Sequence, residues 1–229
     1  MSISDTGSVL AVCGADRPVA LDRIGDSGIA KTPFTGAVSV TAEGVVGDLI
    51  CDTKHHGGID QAVYAYSDTE ARRWADELDR DLAPGWFGEN LRVDGVAVSD
   101  AVIGERWRVG DTVELEVTIP RVPCRTFAAW AEEDRWVARF ADRADVGAYL
   151  KVMVPGPIAA GDGIVVLDRP DHGVTARALF TGDVTTEALE HLTTEPRYTG
   201  KVHREASKVQ RRHTREAART ARAGAVSPD

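Results

Sequence analysis

Short β-like runs separated by glycine fill the first 170 residues, and this pattern constrains the fold more than any other feature of the chain. Eight such runs are present: SVLAVC, AVSVTA, QAVYAYS, NLRVDG, ERWRVGD, TVELEVTI, AYLKVMV and GIVVLD. Many alternate polar and apolar residues, as half-buried strands do. Val109-Gly110-Asp111 and Ala160-Gly161-Asp162 each open a strand in the same way, which is typical of tight turns at the rim of a barrel. The sequence therefore predicts a mainly β body, most simply a small closed barrel.

Two helices are predicted as insertions in this β pattern. One runs from Thr69 to Asp79, with Asp68 as its N-cap. The other follows Cys124, where apolar residues recur at three- and four-residue steps, namely Phe127, Trp130, Val137 and Phe140. After Pro170 the β-branched runs end, and three helical segments follow between glycine and proline breaks. We therefore expect a barrel domain over residues 1–170 and a helical C-terminal region with a basic tail over residues 171–229.

Charge is distributed unevenly along the chain. The net charge is −9, but Arg197 to Arg222 carries nine basic residues against two acidic ones, a local +7 that leaves −16 on the remainder. An acidic body argues against nucleic-acid binding by that body. For the basic tail the sequence leaves open contact with nucleic acid, docking to an acidic electron-donor flavoprotein, or a solvated helix that balances the body or pairs with a second subunit in a homodimer.

Apolar segments and cysteine content indicate the cellular compartment. The first twenty residues lack a basic segment followed by a long apolar one, and no apolar run reaches the ~18 residues of a membrane span. Cys13, Cys51 and Cys124 are an odd, sparse set, which argues against a disulfide framework. These features predict a cytoplasmic protein that does not enter a membrane.

The stretch IPRVPC contains residue types that core packing does not require. Pro120 and Pro123 should end the preceding strand, because each removes a backbone donor and fixes φ. Cys124 would then lie at a strand-to-helix junction between Arg121 and Arg125, a setting that favours the thiolate, which attacks substrates or binds metal. The alternative is a buried structural cysteine.

Two loops offer further polar groups. In KHHGGID, His55 and His56 should point to opposite faces of an extended segment, and Gly57-Gly58 would let the backbone approach a ligand; a polar turn is the alternative. In GWFGENL, Asn90 could present donors and an acceptor to a ligand, or bond its own backbone. Phosphate-loop, dinucleotide, HExxH, CxxC and GxSxG motifs are all missing, and a Cys–His hydrolase stays open in principle.

Taken in order, KHHGGIDQAVYAYS, GWFGENLRVDG, IGERWRVGDTVELEVTIPRVPCRTF and GAYLKVMVPGPIAAGD resemble the MOSC domain, in particular its YiiM-like branch. The resemblance covers residues 10–167, and the helical end resembles the three-helix appendage of that branch. It implies a β-barrel that holds a molybdopterin cofactor, with Cys124 as a thiolate ligand to molybdenum. Candidates for the cofactor's phosphate are Lys54, His56, Arg121 and Arg125. The loops that would border the metal place Gly57, Gly58 and Glu89 beside the cofactor and His56 and Asn90 toward the substrate.

The resemblance also implies an activity. Relatives of this kind reduce N-hydroxylated compounds such as hydroxylamino-purines, with electrons from a separate reductase, and His56 would donate a proton. The alternative is a molybdenum-cofactor binding or sulfur-transfer accessory protein, as in MOSC domains attached to cofactor sulfurases. Two departures from the family pattern concern substrate choice or cofactor binding: Gln61 stands where many relatives carry a basic residue, and SDTEARRW lacks the common His-Tyr pair.

Overall fold

A computed structural model describes residues 5–51, 57–198 and 200–224 of the chain. Within these ranges the strands are β1 Thr6–Gly14, β2 Val19–Leu21, β3 Gly25–Ser27, β4 Thr32–Pro33, β5 Val38–Thr41, β6 Gly44–Val45, β7 Val63–Ser67, β8 Leu91–Asp94, β9 Arg106–Val109, β10 Val113–Pro120, β11 Ala148–Val154, β12 Gly156–Ile158 and β13 Gly163–Asp168. The helices are α1 Asp68–Leu78, α2 Arg125–Ala131, α3 Trp136–Arg143, α4 Ala176–Thr181, α5 Thr186–Thr194 and α6 Lys201–Gly224, with a short 3₁₀ helix at Ile59–Gln61.

Seven strands close into a barrel in the order β13-β9-β10-β11-β7-β8-β1, and β1 returns to β13. Closure occurs because β1 pairs on both edges, with Thr6 opposite Val165 of β13 and Val9 opposite Val93 of β8. The neighbours are antiparallel except for β7 and β8, which are parallel and connected through α1. All eight strands predicted from the sequence are present, so the mainly β barrel with inserted helices is confirmed.

An aromatic cluster packs the inserted helices against one another. Trp74 of α1 lies 4.6 Å from Trp136 and 5.8 Å from Phe140 of α3, measured between ring centroids, and all three side chains are buried. Phe127 of α2 contacts Trp136 edge-on at 5.3 Å. Such edge-to-face and offset contacts stabilise a core beyond the area that they bury.

The predicted helix boundaries are wrong in two places. The N-cap of α1 is Ser67, and Asp68 is the first helical residue. The helix after Cys124 is two helices, because Glu132 and Arg135 adopt left-handed φ angles of 56° and 52°. In one continuous helix, Phe127 and Trp136 would be separated by roughly 13 Å along the axis at 1.5 Å per residue. The break lets both aromatic rings enter the same core.

Three helices follow the last barrel strand, as predicted. Thr175 and Thr185 begin α4 and α5, and each hydroxyl accepts a hydrogen bond from a backbone N–H of the first turn. Leu189 and Leu192 of α5 and Val202 of α6 are buried and belong to the same core as the barrel. The division into two domains near residue 170 stays a prediction.

The final helix, α6, changes character along its length. Its first ten residues pack at intervals against the body, whereas every side chain from Arg211 to Arg222 is exposed apart from half-buried His213. Four arginines at three- and four-residue steps form what we call the basic face of α6: Arg211, Arg215, Arg219 and Arg222. None of the helices in the described ranges is long and apolar enough to cross a membrane.

Candidate functional site

A cavity of about 370 Å³ gathers most of the described residues singled out by the sequence. Its walls come from the chain after β3, the turn at Asp48, the segment from Gly57 to Tyr64, the loop before β8 and the junction that contains Cys124. A volume of this size lies in the range of small-molecule sites. The cavity is therefore the candidate functional site.

Cys124 occupies the junction that the prolines predict. Strand β10 ends at Pro120, and Cys124 is the extended N-cap residue of α2, with φ −130°. Its side chain is half-buried and lines the cavity. The two neighbouring arginines diverge: Arg121 is buried and lines the cavity, whereas Arg125 is exposed and is not among the lining residues.

Arg121 is held by aromatic faces. Its guanidinium carbon lies 5.1 Å from the ring centroid of Tyr64 and 4.5 Å from that of Phe127, and its Nη1 donates to the carbonyl of Phe87. Burial lowers the pKa of Arg121, but Tyr64, Tyr149 and Cys124 outweigh this effect and hold the pKa above its ordinary value. The group is therefore a permanent cation, and its buried Nε has no hydrogen-bond partner among the described residues.

The GENL loop is anchored by its polar side chains. Asn90 accepts a hydrogen bond from the Tyr64 N–H (3.1 Å) and donates from Nδ2 to the Cys13 carbonyl (3.2 Å) and to Asp48 Oδ2 (2.8 Å). Asn90 lines the cavity, yet its amide has partners on both its oxygen and its nitrogen within the protein. Its role toward a substrate stays a prediction, and the observed contacts make it a residue that fixes the wall.

Glu89 lies behind that wall. It is fully buried, and its Oε1 accepts from the Gly85 N–H and from Arg92 Nε, both at 2.8 Å. The buried Oε2 has no hydrogen-bond partner among the residues that the structure describes. Glu89 is not one of the lining residues, so its contacts shape the loop while its predicted cofactor contact stays untested.

A buried ion pair in the cavity wall was missed by the sequence analysis. Lys31 Nζ donates to both carboxylate oxygens of Asp48, and the two side chains are only 9% and 6% exposed. Burial lowers the pKa of Lys31, an effect that Asp48 opposes. Asp48 follows Val46-Gly47, the same pattern as Val109-Gly110-Asp111, which indicates a turn at Asp48 but not its pairing with Lys31.

The histidine-containing loop is described only in part. Lys54, His55 and His56 lie outside the described residues, so the predictions made for them are untested. Gly57 lines the cavity, whereas Gly58 is not among the lining residues; both have positive φ, 77° and 80°.

The other two cysteines differ from each other. Cys51 is exposed and lines the same cavity as Cys124. Cys13 is fully buried in the core, and burial raises the pKa of its thiol to about 12. Cys13 is therefore a neutral core side chain.

The chemistry of the lining residues fits a molybdenum cofactor. Over residues 5–51, 57–198 and 200–224 there is no group of three His, Cys, Asp or Glu side chains placed to hold a metal. A metal that arrives with its own cofactor ligands needs fewer from the protein, and a thiolate suits a soft centre. Arg121 adds a buried cation whose Nε has no partner within the described part of the chain, and a guanidinium suits a phosphate.

Comparisons with known sequences converge on one family. A family model described as the MOSC domain matches residues 52–165. YflK of Bacillus subtilis, an uncharacterized protein, is 30% identical over 168 residues, which cover 73% of this chain and 75% of YflK. A protein named reductase from Gibberella moniliformis is 33% identical over 147 residues, or 63% of this chain and 26% of that protein. YiiM of Escherichia coli is 30% identical over 147 residues, 62% of this chain and 65% of YiiM.

A solved structure has the same fold. YiiM from Geobacillus stearothermophilus superposes with a TM-score of 0.71 at 20% identity, covering 89% of this chain and 99% of that one. At this identity the similarity shows the architecture, a β-barrel with C-terminal helices.

Proposed function

Because this chain belongs to the MOSC family, in its YiiM-like branch, we propose that it is a molybdenum-cofactor-dependent reductase of N-hydroxylated compounds such as hydroxylamino-purines. The observation that carries the proposal is the convergence of Cys124 and Arg121 on one cavity of a MOSC barrel. The relative named reductase supports redox chemistry, although the match covers 26% of that protein.

Four residues of the cavity have defined roles in this proposal. Cys124 would supply the thiolate that holds the metal, and Arg121 would bind the phosphate of the cofactor. Asp48 and Asn90 would keep the wall between them rigid, because their polar atoms bond one another across the cavity lining. When bound, the cofactor supplies the two-electron chemistry that the side chains lack.

The overall reaction balances with two electrons and two protons. The N–O bond of the N-hydroxyl group breaks, the nitrogen leaves as an amine and the oxygen leaves as water. His56 is proposed as a proton donor because its ordinary pKa lies near ~6.5. The electrons would come from a separate flavoprotein reductase in the cytoplasm.

Molybdenum content tests the proposal most directly. We expect chain purified from cells that make the cofactor to carry near-stoichiometric molybdenum by elemental analysis. The molybdenum content of Cys124→Ala should be more than ~10-fold lower, since even the loss of a group that contacts a metal ligand lowers metal affinity by that factor. Cys51→Ala is the matched control, because it removes another thiol from the same cavity and should retain the metal.

Activity then separates the two functions that the family allows. The metal-loaded chain, a chemical reductant and 6-hydroxylaminopurine should yield the amine. Metal without reduction would favour the accessory function. A folded wild-type chain that takes up no molybdenum despite ample cofactor would overturn the proposal altogether.

A further inference from the structure

The first residue of α6 contacts the loop that forms one wall of the cavity. Lys201 Nζ donates to the Gly57 carbonyl at 2.8 Å and to the Gln61 side-chain oxygen. The backbone N–H of Lys201 donates to Asp60 Oδ2, also at 2.8 Å. Gly57 and Gln61 both line the cavity, so the side chain of Lys201 connects a helix of the C-terminal region to the site.

Close packing accompanies these hydrogen bonds. Gly200 has φ +53°, and a Cβ at this position would lie 2.4 Å from Asp60 Oδ2. From the barrel side, Thr118 Oγ1 donates to the Asp60 carbonyl at 2.6 Å. The segment from Gly57 to Gln61 is therefore held between strand β10 and the start of α6.

The loop depends on such anchors because its own sequence is permissive. Gly57 and Gly58 both have positive φ, and a Cβ on Gly58 would meet nothing within 4 Å. Glycine loses more conformational entropy on ordering than any other residue. A charged donor that bonds two acceptors four residues apart compensates for that loss, since hydrogen bonds to charged groups are the stronger ones.

We propose that Lys201 is a positioning residue that holds the segment 57–61, and with it the cavity wall at Gly57 and Gln61, in the shape required for substrate binding. The inference rests on the proposed function only in taking this cavity as the reaction site. A purely structural role, in which Lys201 anchors α6 to the barrel, is the competing explanation.

Lys201→Met separates the two roles. The variant loses the Nζ contacts but keeps the backbone N–H that bonds Asp60, so the anchor of α6 remains. Lys208→Met is the matched control, because Lys208 is exposed and its Nζ pairs with Glu205 of the same helix.

The first readout needs no cofactor. The rates at which iodoacetamide alkylates Cys51 and Cys124 are measured by mass spectrometry, since both side chains line the cavity. We expect Lys201→Met to raise the rate at Cys124 about tenfold, the effect of losing a charged hydrogen bond that holds the wall, with no change for Lys208→Met. Equal rates in the wild type and both variants would overturn the proposal.

The second readout is kinetic, with 6-hydroxylaminopurine and a chemical reductant. If the cavity wall is no longer held in place, KM should rise about tenfold with little change in kcat. A variant that is only destabilised would instead contain a smaller fraction of active protein, and its apparent kcat would fall. If alkylation responds but no form of the chain reduces the substrate, the proposed function fails and the positioning role stands. If the wild type is active and neither readout changes, the positioning role fails.

A second variant covers the case in which Lys201→Met does not fold. Gln61→Leu removes one acceptor from the loop and leaves α6 unchanged, and it should raise the alkylation rate in the same direction by a smaller factor. An unchanged rate in a folded Gln61→Leu protein would overturn the proposal.

Discussion

Two arginines flank the cavity cysteine, and the structure gives them different surroundings. Arg121 lies among Tyr64, Phe127 and the lining of the cavity, while Arg125 faces outward on the first turn of α2. A planar guanidinium between rings cannot be replaced by an ammonium without loss of its stacking and of its fork of donors. At the scale of the residue, cofactor binding should therefore depend on one of the two arginines.

Arg121→Lys should lower the molybdenum content per chain by about tenfold, because losing a fork of charged hydrogen bonds costs on the order of 1.4 kcal/mol or more. Arg125→Lys should leave the metal content unchanged. Elemental analysis of both variants, purified in parallel, checks the prediction. Equal retention by the two proteins would mean that another cation binds the phosphate.

Sequence reasoning found the parts of this site that local chemistry reveals. Cys124 follows two prolines, and prolines act on the backbone next to them, so its place at the strand end was predictable. Lys31 and Asp48 were missed because their pairing spans seventeen residues of sequence and depends on burial, which no local pattern records. Arg121 and Arg125 looked equivalent for the same reason.

At the scale of the element, an ionic network fixes α4 to the barrel. Arg177 of α4 donates to Asp100 Oδ1 at 2.7 Å, to Asp145 Oδ1 at 2.9 Å and to Glu70 Oε1 at 3.1 Å. Glu70 belongs to α1 and also accepts from the Ser99 hydroxyl at 2.8 Å. Two helices and two loops therefore share one cluster of charges, and its ionisation couples to stability.

Burial, reinforced by Asp145, raises the pKa of Glu70 to about 7 from its ordinary 4.5. Between these values the folded chain holds a proton that the unfolded chain has released, so the free energy of unfolding should fall as the pH rises. Relative to Glu70→Gln, the wild type should lose ~2–3 kcal/mol between pH 5 and pH 8, at 1.36 kcal/mol per pKa unit.

Urea unfolding of both proteins across that range measures the difference. Glu77→Gln serves as the control, because Glu77 is one-third exposed and pairs with Arg139 and Arg143. Parallel stability curves for the wild type and Glu70→Gln would contradict the raised pKa.

The strands and helices were predictable from the sequence where polar and apolar residues follow a regular period. Each of the eight apolar runs became a strand, because alternation is a strong local signal. The five missed strands have two or three residues, too few for a period to show. The split between α2 and α3 was missed because it serves tertiary packing. It brings Phe127 against Trp136, and helix periodicity carries no information about that contact.

At the scale of the whole molecule, charge is separated. The body is strongly acidic, and the basic face of α6 extends from it with every arginine exposed. Opposite charge on a partner would raise the encounter rate more than the affinity. We therefore expect the proposed reductase to approach this helix with an acidic surface.

Replacing all four arginines of the basic face with glutamate should slow turnover with the flavoprotein donor at least ~10-fold at low salt, the lower end of electrostatic steering. Turnover with a chemical reductant should not change, nor should the unfolding midpoint, since these side chains are exposed. Stopped-flow mixing at low and high salt measures the effect. Equal rates for the wild type and the variant at low salt would show that α6 does not contribute to binding of the electron donor.

The closure of the barrel by β1 and β13 also governs how the chain is made. On a ribosome β1 is synthesised before the other barrel strands. Val165, which pairs with Thr6 of β1, follows only when nearly the whole barrel has been translated. Until then β1 and β9 each keep an open edge, and open edges recruit strands from other chains. Contacts so distant in sequence also form slowly. The nascent chain therefore exposes its unpaired strand edges to other chains until Gly163–Asp168 has emerged.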